Sequence, residues 1–196
     1  MVALAKLPEH MSVHDFLSWV PSDGRMWQLV DGEPQAMAPP NRTHGTLQGE
    51  LGSIIRNHLQ DKGSPCTLVV TPGVVPFVQA AHNMRVPDLA VTCSEYDLEE
   101  TGLTDPVLIV EILLPSNQTE TWANVWAYAT IPSVREILVL RTVMVGADLL
   151  RRGPDGSWPR EPDIITEGDL MLESIGLRTP LADLYRSTRL RRSAQA

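Results

Sequence analysis

Two apolar runs in this chain each carry a single acid: Val86-Pro87-Asp88-Leu89-Ala90-Val91 and Val107-Leu108-Ile109-Val110-Glu111-Ile112-Leu113. A carboxylate in such a run is costly to bury unless it is paired or holds a cation. If the runs are antiparallel neighbours with Cys93 opposite Pro106, then Asp88 stands opposite Glu111. Directly opposed side chains share a face, with Cβ atoms about 4.5–5.5 Å apart. That spacing suits one hard divalent cation, Mg²⁺ or Mn²⁺, which takes a few carboxylate oxygens and keeps its remaining waters. Such an ion activates water and stabilises charge on a phosphodiester. A one-residue slip would send the acids to opposite faces. The competing reading has each acid capping a strand end or paired with an arginine. It suits Asp88, just after Pro87, better than Glu111 in the middle of its run.

The elements that must position the pair follow from periodicity. Ser12 caps a short helix through Trp19, and Met26–Val30 and Glu33–Ala38 flank an Asp31-Gly32 hairpin turn. Leu47, Leu51, Ile54, Ile55, His58 and Leu59 recur at helical spacing between Thr43 and Lys62, and Gly63 stops that helix. Strands are expected at 67–71, 74–79, 86–92 and 107–113, then a helix from Ser116 or Asn117 to about Thr130. A further hairpin pair covers 135–141 and 144–151, and short β elements fill 164–184. This order of hairpin, helix, strands, helix and strands is α+β. It fits one domain over 1–185 with a basic, disordered tail at 186–196, where four arginines fall in seven residues.

Composition narrows the function classes. Net charge is −8, against a general nucleic-acid binder that works by phosphate neutralisation. No apolar run reaches membrane-span length, and the N-terminus lacks a basic segment followed by an apolar stretch, so a cytoplasmic protein is expected. Cys66 and Cys93, both in apolar strand-like context, read as reduced core residues. Trp122 and Trp126 fall on an apolar helix face suited to core or dimer packing rather than to stacking bases. His10, His14 and His82 have no transition-metal spacing with the cysteines. No phosphate-binding glycine loop or Ser–His–Asp arrangement is present.

Several motifs follow one another in a recognisable order. They are Trp27-Gln28-Leu29-Val30-Asp31-Gly32-Glu33, His44, Val86-Pro87-Asp88, Val110-Glu111-Ile112-Leu113-Leu114-Pro115-Ser116, Tyr128 and Pro132-Ser133-Val134-Arg135-Glu136. From about Ser12 to Tyr185 the chain resembles a bacterial family described as "putative restriction endonucleases", within the PD-(D/E)xK nuclease superfamily. The resemblance implies a restriction-endonuclease-like mixed β-sheet core flanked by helices. It also implies a metal-dependent DNA endonuclease, with Asp88 and Glu111 as Mg²⁺ or Mn²⁺ ligands and His44 at the site. His44 would be a ligand or phosphate contact, or else a helix-start histidine bonded to a neighbouring loop. Glu50 falls where related nucleases place an extra acid, although a solvated helical glutamate accounts for it too.

The departures are as informative as the matches. The family usually has Glu at the position of Gln28 and Ser at that of Leu114. The superfamily lysine would fall on Leu113, or in this family on Asn124. Glu120, Asn124 and Tyr128 share one helix face, opposite Trp122, Val125, Trp126 and Ala129. Asparagine hydrogen-bonds but carries no charge to orient water or hold a phosphate. Two readings follow: a weakened, Mg²⁺-dependent endonuclease acting on DNA, or an inactive homodimeric binding or structural module. Arg42, Arg56 or Arg85 reaching the acid pair would favour the enzyme.

Overall fold

The computed structural model describes residues 10–19, 21, 23–95 and 99–193. The N-terminal stretch searched for a leader and the last three residues of the basic tail lie outside them. Helix α1 (Val13–Ser18) carries the expected cap: Ser12 Oγ accepts from the Asp15 amide, and the Asp15 carboxylate reaches back to Ser12. Strands β1 (Trp27–Val30) and β2 (Glu33–Ala36) form the expected hairpin. Its turn residues, Asp31 and Gly32, have φ of 49° and 84°. This is the left-handed region that the Asp-Gly pair tolerates.

Helix α2 (Arg42–Asp61) is capped by Asn41 and buries Leu47, Leu51, Ile55 and Leu59. The remaining elements are β3 (Thr67–Val70), β4 (Leu89–Thr92), β5 (Pro106–Leu113), α3 (Gln118–Tyr128), β6 (Glu136–Arg141), β7 (Ala147–Arg151), β8 (Asp163–Ile165), β9 (Asp169–Leu172), β10 (Leu177–Pro180), α4 (Leu181–Leu184) and α5 (Arg189–Ser193). Strands β3 to β8 make one six-stranded sheet in sequence order, antiparallel except at β5–β6, where α3 is the crossover. The fold is therefore the expected α+β mixed sheet flanked by helices. Among the described residues no helix is long and apolar enough to cross a membrane.

Strand alternation sorts the core into two layers. Leu89, Val91, Leu108, Val110 and Ile112 pack toward α2, whereas Ala90, Ile109, Ile137 and Val139 pack with Val125 and Tyr128 of α3. At the far end Tyr185 is fully buried, and its hydroxyl sits 2.8 Å from Arg141 O and 2.7 Å from Gly146 O. Glu136, also buried, accepts from Arg151 Nε and from the Glu173 and Ser174 amides, tying the small β9–β10 sheet to the main one.

Five expectations change. The stretch 74–79 is not a strand: it makes one bridge, Val74↔Arg85, because Pro76 lacks a donor, and the Phe77 and Val78 amides bond Thr130 Oγ1 instead. Cys66 and Cys93 form a disulfide. Continuing the Thr67↔Thr92 pairing by one residue sets them directly opposite at strand ends, with Cys66 packed at the edge of the core and Cys93 exposed. Thr92, not Cys93, pairs with Pro106, owing to an irregularity after Val91. Trp126 is exposed, because α3 turns its Asn124 and Tyr128 side, together with Val125, onto the sheet. The start of the basic tail folds onto α2, where Arg186 Nε pairs with Glu50 at 2.7 Å and Ser187 Oγ bonds the same carboxylate. Glu50 is thus an ion-paired residue rather than a solvated one.

Candidate active site

Continuing the Leu89↔Val110 pairing by one residue sets Asp88 opposite Glu111. The irregularity that displaces Pro106 lies at the other end of the ladder, so the acid end keeps its register. Both acids fall on the α3 face with Ala90 and Ile109, and both are buried. Asp88 Oδ2 accepts from the Ile112 amide at 2.7 Å, which fixes the carboxylate across the strand gap.

The start of α2 supplies the next partner. Asn41 accepts from the His44 amide at 2.9 Å, and this cap orients the first turn so that His44 Nε2 lies 3.1 Å from Asp88 Oδ1. One turn later, Gln48 Nε2 donates to the Asp88 carbonyl at 2.9 Å. The other imidazole nitrogen, Nδ1, is buried without a hydrogen-bond partner.

Helix α3 covers Glu111. The Tyr128 hydroxyl donates to Glu111 Oε1 at 2.8 Å. Burial, and then the Asp88 charge beside it, push the Glu111 carboxyl well above the usual carboxylate range, while hydrogen bonds from Tyr128 and Asn124 pull it back. Burial, followed by the Glu111 charge, pushes the Tyr128 phenol up in turn, so it stays a donor.

Asn124 therefore does face the acid pair, together with Gln28, whose Oε1 lies 3.5 Å from Asn124 Nδ2. Behind Asn124 stands a buried cation. Arg85 Nη1 donates to Asn124 Oδ1 at 3.0 Å and Nη2 to Asn83 Oδ1 at 3.0 Å. Burial lowers the Arg85 pKa, and the surroundings of Tyr128 and Asp31 oppose that. Of the three arginines considered from the sequence, Arg85 comes nearest to the site. Arg42 and Arg56 lie exposed on α2.

These groups line a cleft of about 520 Å³ that also takes in residues of the β1–β2 hairpin and the segment after it, among them Met26, Met37 and Pro40, and Leu114. Glu120 reaches the cleft but is exposed. Among the described residues no three His, Cys, Asp or Glu side chains form a ready metal-ligand set. Two buried carboxylates set against each other nonetheless fit a hard cation that keeps most of its waters. Such an ion would cancel the repulsion that raises Glu111.

Gln48, Asn83 and the role of Arg85 were beyond sequence reasoning. Gln48 sits one turn after His44, a spacing that marks it as a neighbour. Asn83 carries no signal in the sequence.

Comparison with known proteins agrees with this architecture. The Uma2 family model, described as "Putative restriction endonuclease", matches residues 13–179. The crystal structure of a protein from Anabaena variabilis, described as a putative nuclease belonging to DUF820, superposes with a TM-score of 0.73. It is 18% identical, and the match covers 90% of this chain and 98% of that one. No curated protein matches the chain.

Proposed function

We propose, from the premise that the chain belongs to the Uma2 family, that it is a metal-dependent endonuclease acting on DNA, with an attenuated active site. The observation that carries this reading is the buried Asp88–Glu111 pair at the floor of a cleft, with Glu111 held well above its usual pKa by burial and by Asp88. Asp88 and Glu111 would hold Mg²⁺ or Mn²⁺. When bound, the ion supplies an activated water and stabilises charge on the scissile phosphate.

The chain's own residues do the rest. The Ile112 amide and His44 fix the Asp88 carboxylate, while Tyr128 and Asn124 orient Glu111. Asn124 offers a donor but no charge, and a missing charge-stabilising group costs about a hundredfold in rate.

Nicking of supercoiled plasmid in Mg²⁺ or Mn²⁺ tests this reading. Slow nicking that Asp88→Asn and Glu111→Gln each abolish supports it. No nicking, together with no Mn²⁺ binding by calorimetry, overturns it.

A second reading is an inactive homodimeric module on the same fold. It is favoured by exposed apolar side chains, Phe77 (74% exposed) and Val78 on the loop bonded to Thr130 and Trp126 on α3. Sedimentation would show a dimer that Phe77→Asp converts to monomer. A monomeric wild-type protein would exclude it.

A further inference from the structure

Arg85 is a buried guanidinium without a buried acid of its own. Both of its terminal nitrogens donate to asparagine oxygens, and its Nε is buried without a partner. Among the described residues no carboxylate forms an ion pair with it. Two neutral amides satisfy hydrogen bonds but do not cancel a charge, and an uncompensated buried cation is expensive.

The orientation of the amides tells where the charge is directed. Arginine has only donors, so it holds Asn124 with Oδ1 toward itself and Nδ2 away. That Nδ2 faces Gln28 Oε1, and Asn124 lines the same cleft as Glu111 and Asp88. Asn83 is turned in the same sense, with Oδ1 on Arg85 and Nδ2 donating to Asp31 Oδ1 at 2.9 Å. Asp31, at the hairpin turn, is exposed and hydrated, so it meets only part of the charge. On the other side, across one polarised amide, lie Glu111 and Asp88, a buried acid pair, while Arg25, which also lines the cleft, is already paired with Asp23.

We infer that Arg85 is the built-in counter-cation of the Asp88–Glu111 pair, acting through Asn124 as a positioning residue that keeps the acids together when no metal is bound. The inference rests on the metal-site reading above and adds a consequence to it. A fixed positive charge near the pair substitutes in part for the divalent cation, so it stabilises the metal-free protein and weakens metal binding. It also makes positions 85 and 124 alternatives, because a lysine at 124 would set a second cation against the first.

The test is a charge-transfer cycle in the full chain: Arg85→Leu, Asn124→Lys and the double variant, melted with chelator and with Mn²⁺, alongside Mn²⁺ calorimetry. Arg85→Gln serves if Arg85→Leu does not fold, because it keeps a polar contact without the charge. Each single variant should melt lower than wild type in chelator. The Arg85→Leu loss should largely disappear in Mn²⁺, with Mn²⁺ bound about tenfold more tightly than by wild type. The double variant should recover most of the wild-type melting temperature in chelator, since it moves the charge rather than removing it.

A loss at Arg85→Leu that is equal with and without Mn²⁺, or one that adds to that of Asn124→Lys in the double variant, would overturn the inference and leave Arg85 a packing residue. If no form binds Mn²⁺, the metal-site reading fails by itself. The recovery or additivity of the double variant in chelator then decides the Arg85 inference.

Discussion

Glu111→Gln offers the sharpest test of the electrostatics. The substitution keeps the side-chain size and an oxygen to accept from Tyr128, and it removes one of two opposed charges. Taking the Cβ spacing of directly opposed residues, about 5 Å, as the charge separation, and an effective dielectric near 20, the repulsion is about 3 kcal/mol. Weakening the hydrogen bonds from Tyr128 and Asn124 to a charged acceptor returns about 1 kcal/mol. The metal-free variant should therefore be about 2 kcal/mol more stable than wild type, which for a domain of this size is a rise of about 4–8 °C.

The sign has a pH signature. The folded pKa of Glu111 is raised above its ordinary value of 4.5, chiefly by burial and then by Asp88. Its contribution to stability is therefore fully present below pH 4.5 and is lost as pH rises through the folded value. Melts in chelator should show wild type and variant close together in acid and diverging toward pH 8, with the variant higher. Saturating Mn²⁺ should raise only the wild type. A variant that melts at or below wild type at pH 8 in chelator would refute the account of Glu111 as a strained acid.

Three further outcomes are expected. Tyr128→Phe removes the donor to Glu111, so the metal-free protein should lose about 1–3 kcal/mol at pH 8, read by chemical denaturation, and much less in acid. Reducing the Cys66–Cys93 bond, which spans 27 residues, should cost about 3 kcal/mol, read as a lower melting temperature in reductant; an unchanged melt with two titratable thiols would contradict the pairing. Burial pushes the Tyr185 phenol up to about 12, above its ordinary 10.0, so its contribution holds below pH 10 and is lost as pH climbs toward 12. Absorbance titration should show two late phenols, Tyr128 and Tyr185, ionising together with unfolding, and Tyr185→Phe should remove one of them.

The resemblance read from the motif order matches the family and the fold, and much of the local structure follows from short-range rules. Ser12 and Asn41 cap their helices because they sit just before an amphipathic run. Asp31-Gly32 turns because those residues tolerate positive φ. The apolar leucine spacing on α2 fixes the face it buries. These are properties of contiguous residues, and periodicity encodes them.

Features set by position within the sheet were less legible. The 74–79 stretch has strand composition, yet Pro76 and Thr130 hold it as a loop. The cysteines sit in apolar company along the chain, but their pairing depends on which strand lies beside which and where each one ends. The face of α3 carrying Asn124 and Tyr128 looked like the polar one, and Trp126 like an anchor. Burial reversed that, because the sheet beneath α3 presents a carboxylate for Tyr128 to satisfy.

The sequence by itself determined that Asp88 and Glu111 are anomalous, since an acid within an apolar strand signals a cost wherever that strand is placed. Only the tertiary structure decided what meets that cost. His44 arrives from α2, Tyr128 and Asn124 from α3, and the Arg85 charge from the loop before β4. Those partners are separated by tens of residues, and a hydrogen bond or a Coulomb field depends on distance in space, which no local pattern records.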